Sequence, residues 1–199
     1  PLSSSAASDV YKRQNSEGAT RSFSKNIFTI INSKGFSAKY SKTFHSISSI
    51  AIAGSDTNMQ RDYEYSAATH ASDLLLAEKV GALAAKRAAS RLNSKKIKSC
   101  TLDVIFEPRV AKSILSSFCS CASGTSIARG TSFLNNQLNT SVFKKNINIT
   151  NNPKLKRGIG SAPYDSSGIK TENISIIQNG IFKNYFLNIR SARQLRMAI

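Results

Sequence analysis

The chain is short of acid, of histidine and of cysteine. Its 199 residues hold 11 Asp plus Glu against 28 Lys plus Arg, a formal net charge of +17. Two histidines, His45 and His70, are too few for a three-histidine zinc site. Three cysteines, Cys100, Cys119 and Cys121, are an odd number and follow no zinc-finger spacing. With no signal peptide ahead of them, they point to a reducing cytoplasm rather than to a disulfide scaffold. No apolar run approaches the ~18 residues of a membrane span. The longest helical pattern, Asp73 to Asn93, is interrupted by Lys79, Lys86, Arg87 and Arg91, so no membrane partner is expected. A hydrophobic share of 40% still excludes a wholly disordered chain. The length suits one large or two small domains with a core that needs no staples.

The excess of positive charge is spread out. Residues 15–99 carry 13 basic against 6 acidic groups, and residues 100–199 carry 13 against 4. Pro1 to Gln14 is small and polar with neither helical nor strand period. It reads as adapter-derived sequence, or else as a disordered terminus, and is set aside from fold reasoning. A stop at Ile199 directly after Arg190, Arg193 and Arg196 gives the expectation of a fragment.

Periodicity predicts a mixed α+β chain. Phe28–Ile31 reads as a short strand. Ile47–Ala53 reads as a second, with Ile47 out of phase as a bulge at Ser48–Ser49 would make it. After a turn at Gly54–Asn58, Met59, Arg61, Tyr63 and Tyr65 alternate with Gln60, Asp62 and Glu64, so the two strands should pair antiparallel. Asp73–Leu92 reads as a helix capped by Ser72 or Asp73, with an apolar stripe of Leu76, Val80, Leu83, Ala84 and Ala88. Basic residues 93–99 form a linker, which places a domain boundary between residues 15–99 and 100–199. Thr101–Phe106 reads as a buried strand. Pro108 suits a first helical position, Val110, Ile114, Leu115, Phe118 and Cys121 keep helical spacing, and Gly124 suits a stop. Asn146–Thr150 alternates, and Gly158–Gly168 reads as a loop. Asn179–Gly180 between two apolar runs is the best hairpin signal, because both turn residues tolerate positive φ.

Each chemical candidate has a plain structural counterpart. Basic residues could neutralise phosphates, which makes a basic nucleic-acid-binding module the alternative function. Such modules cluster their charge and interleave stacking aromatics, whereas here the charge is dispersed and most aromatics fall at core-like positions. Gly158-Ile-Gly160-Ser-Ala-Pro163 has two glycines of a dinucleotide loop, but Pro163 stands at the third place, so a surface turn is preferred. Cys119 or Cys121 could serve a thiol-dependent enzyme, yet no acid–base partner is near in sequence, and helix packing is preferred. His45 and His70 read as structural. Asp165, between Tyr164 and Gly168, suits a turn held by its own side chain, or the orientation of a substrate.

Several runs together resemble a known family. His45-Ser46-Ile47-Ser48, Met59-Gln60-Arg61-Asp62-Tyr63-Glu64-Tyr65 and Ala88-Ala89-Ser90-Arg91-Leu92 are similar to the middle domain of the TldD/PmbA family. Val104-Ile105-Phe106, Thr131-Ser132-Phe133-Leu134, Asn152-Pro153, Gly160 to Gly168, Asn179-Gly180 and Ser191-Ala192-Arg193 follow in the order of its last domain. The resemblance covers residues 40–199, and the Met-Gln-Arg-Asp-Tyr run favours the PmbA (TldE) branch.

The resemblance implies a cytoplasmic, heteromeric metallopeptidase acting in proteolysis or peptide maturation. Its TldD subunit carries His-Glu-x-x-x-His, two histidines that hold zinc and a glutamate that activates its water. Where that motif would fall, this chain reads Ser116-Ser117-Phe118-Cys119-Ser120-Cys121, without His or Glu. The expectation is thus a PmbA/TldE-like, non-catalytic subunit with no cofactor of its own, zinc residing in a TldD-like partner, and unfolded peptides as substrates. Ser167 stands where the family often has Glu, which removes an acid there. The candidate peptide-groove or motif residues are Arg61, Asp62, Arg129, Ser132, Phe133, Asp165 and Gly168.

Overall fold

The computed structural model describes residues 14–199. The adapter-like segment 1–14 lies outside the described residues but for the backbone of Gln14, which opens the first strand. The chain forms two compact units. The first comprises residues up to Thr29 with Ala38–Ser99 and Lys156–Gly160; the second comprises Ile30–Ser37, Cys100–Leu155 and Ser161–Ile199. Each is an α+β unit with an antiparallel sheet, the first with one α-helix among the described residues and the second with three.

In the first unit, β1 (Gln14–Ile31), β2 (Ser37–Ala53) and β3 (Gln60–Ala68) lie in the order β1-β2-β3. The first two strands are far longer than the apolar patterning indicated: β1 is exposed along most of its length, and its pairing with β2 is supplemented by Phe28 stacked on Tyr40 and Phe23 against His45. Between β2 and β3 the register runs unbroken from His45 opposite Ala68 to Ala53 opposite Gln60. The bulge expected at Ser48–Ser49 is therefore absent, and Ile47 is buried within the regular ladder. Gly54 has a φ of 91°, and a Cβ there would come within 2.3 Å of the Asn58 carbonyl oxygen.

Helix α1 (Ala77–Ser90) packs against β3. It begins four residues later than the pattern implied. Ser72 and Asp73 instead end a single 3-10 turn, and Leu76, expected in the apolar stripe, is the uncapped N-cap and 73% exposed. The contact itself is built of alanines: Ala51 and Ala53 of β2 meet Ala84, Ala85 and Ala88 of α1. Side chains this small bring helix and sheet close.

The second unit has less regular structure. It contains α2 (Pro108–Cys121), α3 (Gly124–Ala128), β4 (Ile149–Asn151), β5 (Ile174–Gln178), β6 (Ile181–Phe182) and α4 (Ile189–Leu195). The sheet order is β4-β5-β6. The hairpin turn falls at Asn179 and Gly180, with φ of 50° and 77°, as the two turn residues require. Pro108 takes the first turn of α2, where its missing N–H costs nothing. Gly124 does not stop that helix. The helix ends at Cys121, and Gly124 opens α3, since a Cβ there would meet Ser191 Oγ at 2.6 Å. The core gathers Phe118, Ala122, Ile127, Leu134, Ile176, Ile177, Phe182 and Tyr185. Phe182 lies edge-on to Phe118 and to Tyr185, at 6.2 and 5.3 Å between ring centres.

Two readings are corrected here. Thr101–Phe106 is neither a strand nor buried: no strand among the described residues pairs with it, and Ile105 is 96% exposed. Nor are most of the aromatics in the core, since Phe23, Phe28, Tyr63, Tyr65 and Phe133 are exposed.

Phe182 and Ile105 should therefore respond oppositely to substitution. Phe182→Ala removes a fully buried ring and is expected to cost about 3–5 kcal/mol. Ile105→Ser should change stability by no more than about 0.5 kcal/mol. Urea unfolding midpoints measure both; a large loss at Ile105 would contradict its exposure.

Candidate functional site

The sequence candidates divide between the units. Arg61 and Asp62 are neighbours on β3 but point to opposite faces, as alternation along a strand demands. Arg61 is exposed and ion-paired with Glu17. Asp62 and Glu64, at 8% and 7% exposure, lie on the buried side. Buried carboxylates need partners, and α1 supplies one of them: Arg87 Nη1 is 2.9 Å from Glu64 Oε2. Arg91, just past the end of α1, supplies the other: its Nη1 is 3.3 Å from Asp62 Oδ2. Asp62 Oδ1 also accepts from the Tyr63 N–H at 2.7 Å. Asp62 thus acts as a structural anchor for the helix. The opposite face of β3 shows Tyr63 and Tyr65 to solvent, their rings 6.3 Å apart.

The histidines and the dinucleotide-like loop are occupied locally. His70 Nδ1 lies 2.7 Å from Ser72 Oγ and accepts from the Ser72 N–H, closing the 3-10 turn. His45 lies 4.8 Å from Phe23, the two rings tilted by 40°. Residues 156–160 are tied down within the first unit: Thr69 Oγ1 donates to the Arg157 carbonyl at 2.8 Å, Arg157 Nη1 meets Asp73 Oδ1 at 2.8 Å, and Lys42 donates to the Ile159 carbonyl. That loop is a surface turn.

On α2, Cys119 and Cys121 are half-buried and pack against the core cluster around Phe118. Burial pushes the Cys119 thiol up from its ordinary value, so it holds its proton. Nucleophiles and metal ligands need the thiolate. With no His or Glu on this helix, its residues do not fit a zinc ion. Among the described residues no three His, Cys, Asp or Glu side chains gather as a metal site.

Two loops of the second unit hold the remaining candidates. Ser132 is buried and works as a staple: its Oγ donates to the Cys121 carbonyl at 2.7 Å and accepts from the Leu134 N–H at 3.1 Å. Phe133 beside it is exposed, as is Arg129, the C-terminal cap of α3. Asp165 turns its carboxylate onto its own loop. Oδ1 accepts from the N–H groups of Ser167 and Ile169 at 2.9 and 2.8 Å, the turn its neighbours implied. Gly168 has a φ of 82°, and a Cβ there would lie 2.7 Å from Phe36 Cδ1. No side chain fits there, so this glycine is needed for shape.

Holding the loop this way displays Ser166 and Ser167 toward α4. These two serines, with Asn188, Ile189, Arg190, Arg193 and Gln194, line a cavity of about 600 Å3. The start of α4 is fixed by a reciprocal cap: the Ser191 N–H donates to Asn188 Oδ1 at 2.8 Å, and the Asn188 N–H donates to Ser191 Oγ at 3.0 Å. Arg190 and Arg193 are three apart and so share a side of the helix. In the sequence they stand out only as part of a basic run and, for Arg193, of a motif. The signal that marks them is the Asn188-x-x-Ser191 cap, with one arginine inside it and the second three residues further on.

Comparison with known proteins matches two domain models of one family. A model described as the PmbA/TldA metallopeptidase central domain matches residues 4–92, and one described as the PmbA/TldA metallopeptidase C-terminal domain matches residues 99–199. A metalloprotease PmbA homolog of Buchnera aphidicola subsp. Acyrthosiphon pisum is 37% identical over 197 residues, 98% of this chain. The chain spans 44% of that relative's length. A crystal structure from Thermotoga maritima, described as a candidate modulator of a DNA gyrase, superposes with a TM-score of 0.89. It has 24% identity over 99% of this chain and 45% of its own. TldE from Thermococcus kodakarensis superposes with a TM-score of 0.69 at 15% identity over 90% of this chain and 40% of its own. At these identities the two structures speak for the fold alone. The matches do not favour the nucleic-acid-binding alternative. Among the described residues no helix is long and apolar enough to cross a membrane.

Two outcomes test these assignments. Asp165→Ala takes the acceptor from two loop N–H groups and should cost about 1–3 kcal/mol in chemical denaturation. Asp165→Asn, which keeps an acceptor oxygen, should cost less. For the cysteines, iodoacetamide at pH 8 should alkylate exposed Cys100 first and Cys119 last, because the raised Cys119 pKa lowers its thiolate fraction there. Mass spectrometry of the labelled peptides gives the order, and a fast Cys119 would revive the thiol-enzyme reading.

Proposed function

Because the chain belongs to the PmbA/TldD family of metallopeptidase-related proteins, we propose that it is a PmbA/TldE-like subunit. In this reading it pairs with a TldD-like subunit and helps form the chamber that admits unfolded peptides in the cytoplasm, for proteolysis or peptide maturation. The boundary between the central and last domains falls in the basic linker 93–99. The observation that carries the reading is α2. The helix that holds His-Glu-x-x-x-His in the catalytic relative presents Ser116, Ser117, Phe118, Cys119, Ser120 and Cys121, and Phe118 is buried in the core. Of α2 only Phe118 is buried, with Cys119 and Cys121 packed beside it, while Val110, Ile114 and Leu115 stand half-exposed.

In the complex, zinc on the partner would supply a polarised carbonyl and an activated water. This chain would contribute walls and charge. Its net charge of +17 attracts an acidic partner surface or peptide over the screening distance of about 8 Å. Arg61, Arg129 and Phe133, all exposed, are the groove candidates left to touch a peptide. Asp62, Ser132, Asp165 and Gly168 would act by holding the backbone that presents them.

The test is to purify the full-length protein alone, the TldD-like partner alone, and the two together, and to measure zinc per subunit and cleavage of an unfolded peptide. The expected result is zinc on the partner and activity rising at least tenfold in the mixture. Stoichiometric zinc and peptidase activity in the isolated subunit would sink the non-catalytic reading. Failure of the two proteins to co-elute would remove the pairing.

A further inference from the structure

We propose that the cavity between the Asp165 loop and α4 is a subsite for a peptide carboxylate. Arg190 and Arg193 receive the negative group, with Ser166 and Ser167 as hydroxyl donors. That the ligand is a peptide rests on the function proposed above; that it carries a carboxylate rests on the cavity itself.

Arg61, Arg87, Arg91, Arg109 and Arg157 are each paired with an acidic side chain. Among the described residues, Arg190 and Arg193 have no such partner. Among the described residues Arg21, Arg129 and Arg196 also lack an acidic partner, and what marks Arg190 and Arg193 is that the two share one cavity. The acid nearest in sequence to the loop serines, Asp165, spends its carboxylate oxygen on the N–H groups of Ser167 and Ile169. The Ser166 and Ser167 hydroxyls make no hydrogen bond within the described residues and can donate to a ligand.

The chemistry of the lining selects the ligand. A guanidinium is a planar fork whose parallel N–H groups match the two oxygens of a carboxylate. Two of them at helical spacing, with hydroxyls opposite, form a clamp. The recess is open to solvent and, at about 600 Å3, has room for the charged group and part of the residue that bears it. Ile189 offers an apolar patch for that residue. The walls are already ordered. The reciprocal cap of Asn188 and Ser191, with Ser191 and Ala192 buried, fixes α4, and the Asp165 turn fixes the serines. The backbone that carries the clamp is thus fixed, and the ordering cost of binding falls on the two exposed arginine side chains.

The experiment titrates a rhodamine-labelled hexapeptide of Ala, Gly, Ser and Leu into the full chain at near-physiological salt, read by fluorescence anisotropy. Four forms are compared: C-terminal free acid, C-terminal amide, an amide with one internal Glu, and an amide with one phosphoserine. The free acid or the Glu peptide is expected to bind at least tenfold tighter than the plain amide. Whichever is tighter identifies the source of the carboxylate. R190A/R193A should abolish that preference, whereas K144A/K145A, which removes the same charge at exposed positions elsewhere, should leave it intact. Both arginines are exposed, so the fold should survive, as circular dichroism would show. R190K/R193K, which keeps the charge and loses the fork, should weaken the preference several-fold and gives a second reading. The proposal is overturned by equal binding of acid and amide forms, by a preference that persists in R190A/R193A, by its equal loss in K144A/K145A, or by the phosphoserine peptide binding tightest. No partner, zinc or turnover enters the measurement. A failed subunit-pairing test therefore leaves this result standing, and the converse also holds.

Discussion

Every buried backbone N–H and carbonyl must find a partner, and in the second unit that demand shapes the structure. Much of its chain runs through turns, where no ladder supplies the bonds. Short polar side chains supply them instead. Ser132 ties the end of α2 to the following turn, Asp165 closes its own loop, and Asn188 with Ser191 caps α4. Asn148 accepts from the Asn179 N–H at the hairpin, and Asn184 donates to the Ser175 carbonyl. Residues that read in sequence as candidate chemistry prove to be the fasteners of an irregular backbone. That role frees other side chains: with Asp165 turned inward on its own loop, the neighbouring serines face α4.

The first unit meets the same demand with regular structure and meets a second one with charge. Its helix-to-sheet contact is made of alanines, which allow a close approach but bury little area each. Placing Asp62 and Glu64 on the packed face of β3 would be ruinous unpaired, since a buried carboxylate without a partner costs several kcal/mol. Arg87 near the C-terminal end of α1 and Arg91 just beyond it pair with them. The inversion of the usual pattern follows, with the acids inside and Tyr63 and Tyr65 outside. An aromatic strand face left in solvent is unusual, and it lies on the strand whose Met-Gln-Arg-Asp-Tyr run carries part of the family resemblance.

Elements specified by local rules were legible. The hairpin at Asn179–Gly180 follows from the φ that its turn demands, α2 from Pro108 and its apolar spacing, and the Asp165 turn from side-chain geometry. Elements whose fate depends on distant partners were not. Thr101–Phe106 has the composition of a buried strand, but a strand needs an edge to pair with, and none of the described residues offers one. Gly124 looks like a helix stop, yet its lack of a Cβ serves the approach of Ser191, which is 67 positions away. The long β1–β2 hairpin was not legible because residues 20–42 mix short apolar pairs with Ser and Lys and carry no clear period.

By itself, the sequence determined the family and the α+β class, along with the composition of α2, which lacks His and Glu. Motifs in order and missing side chains are one-dimensional facts and need no coordinates. Only the tertiary structure decided which charged groups are spent and which remain available. Asp62, Glu64, Arg87, Arg91 and Arg157 are consumed by ion pairs, whereas Arg190 and Arg193 face a cavity without one among the described residues. Pairing depends on distances of a few ångströms between residues far apart in the chain, and no reading of spacing along the chain supplies them.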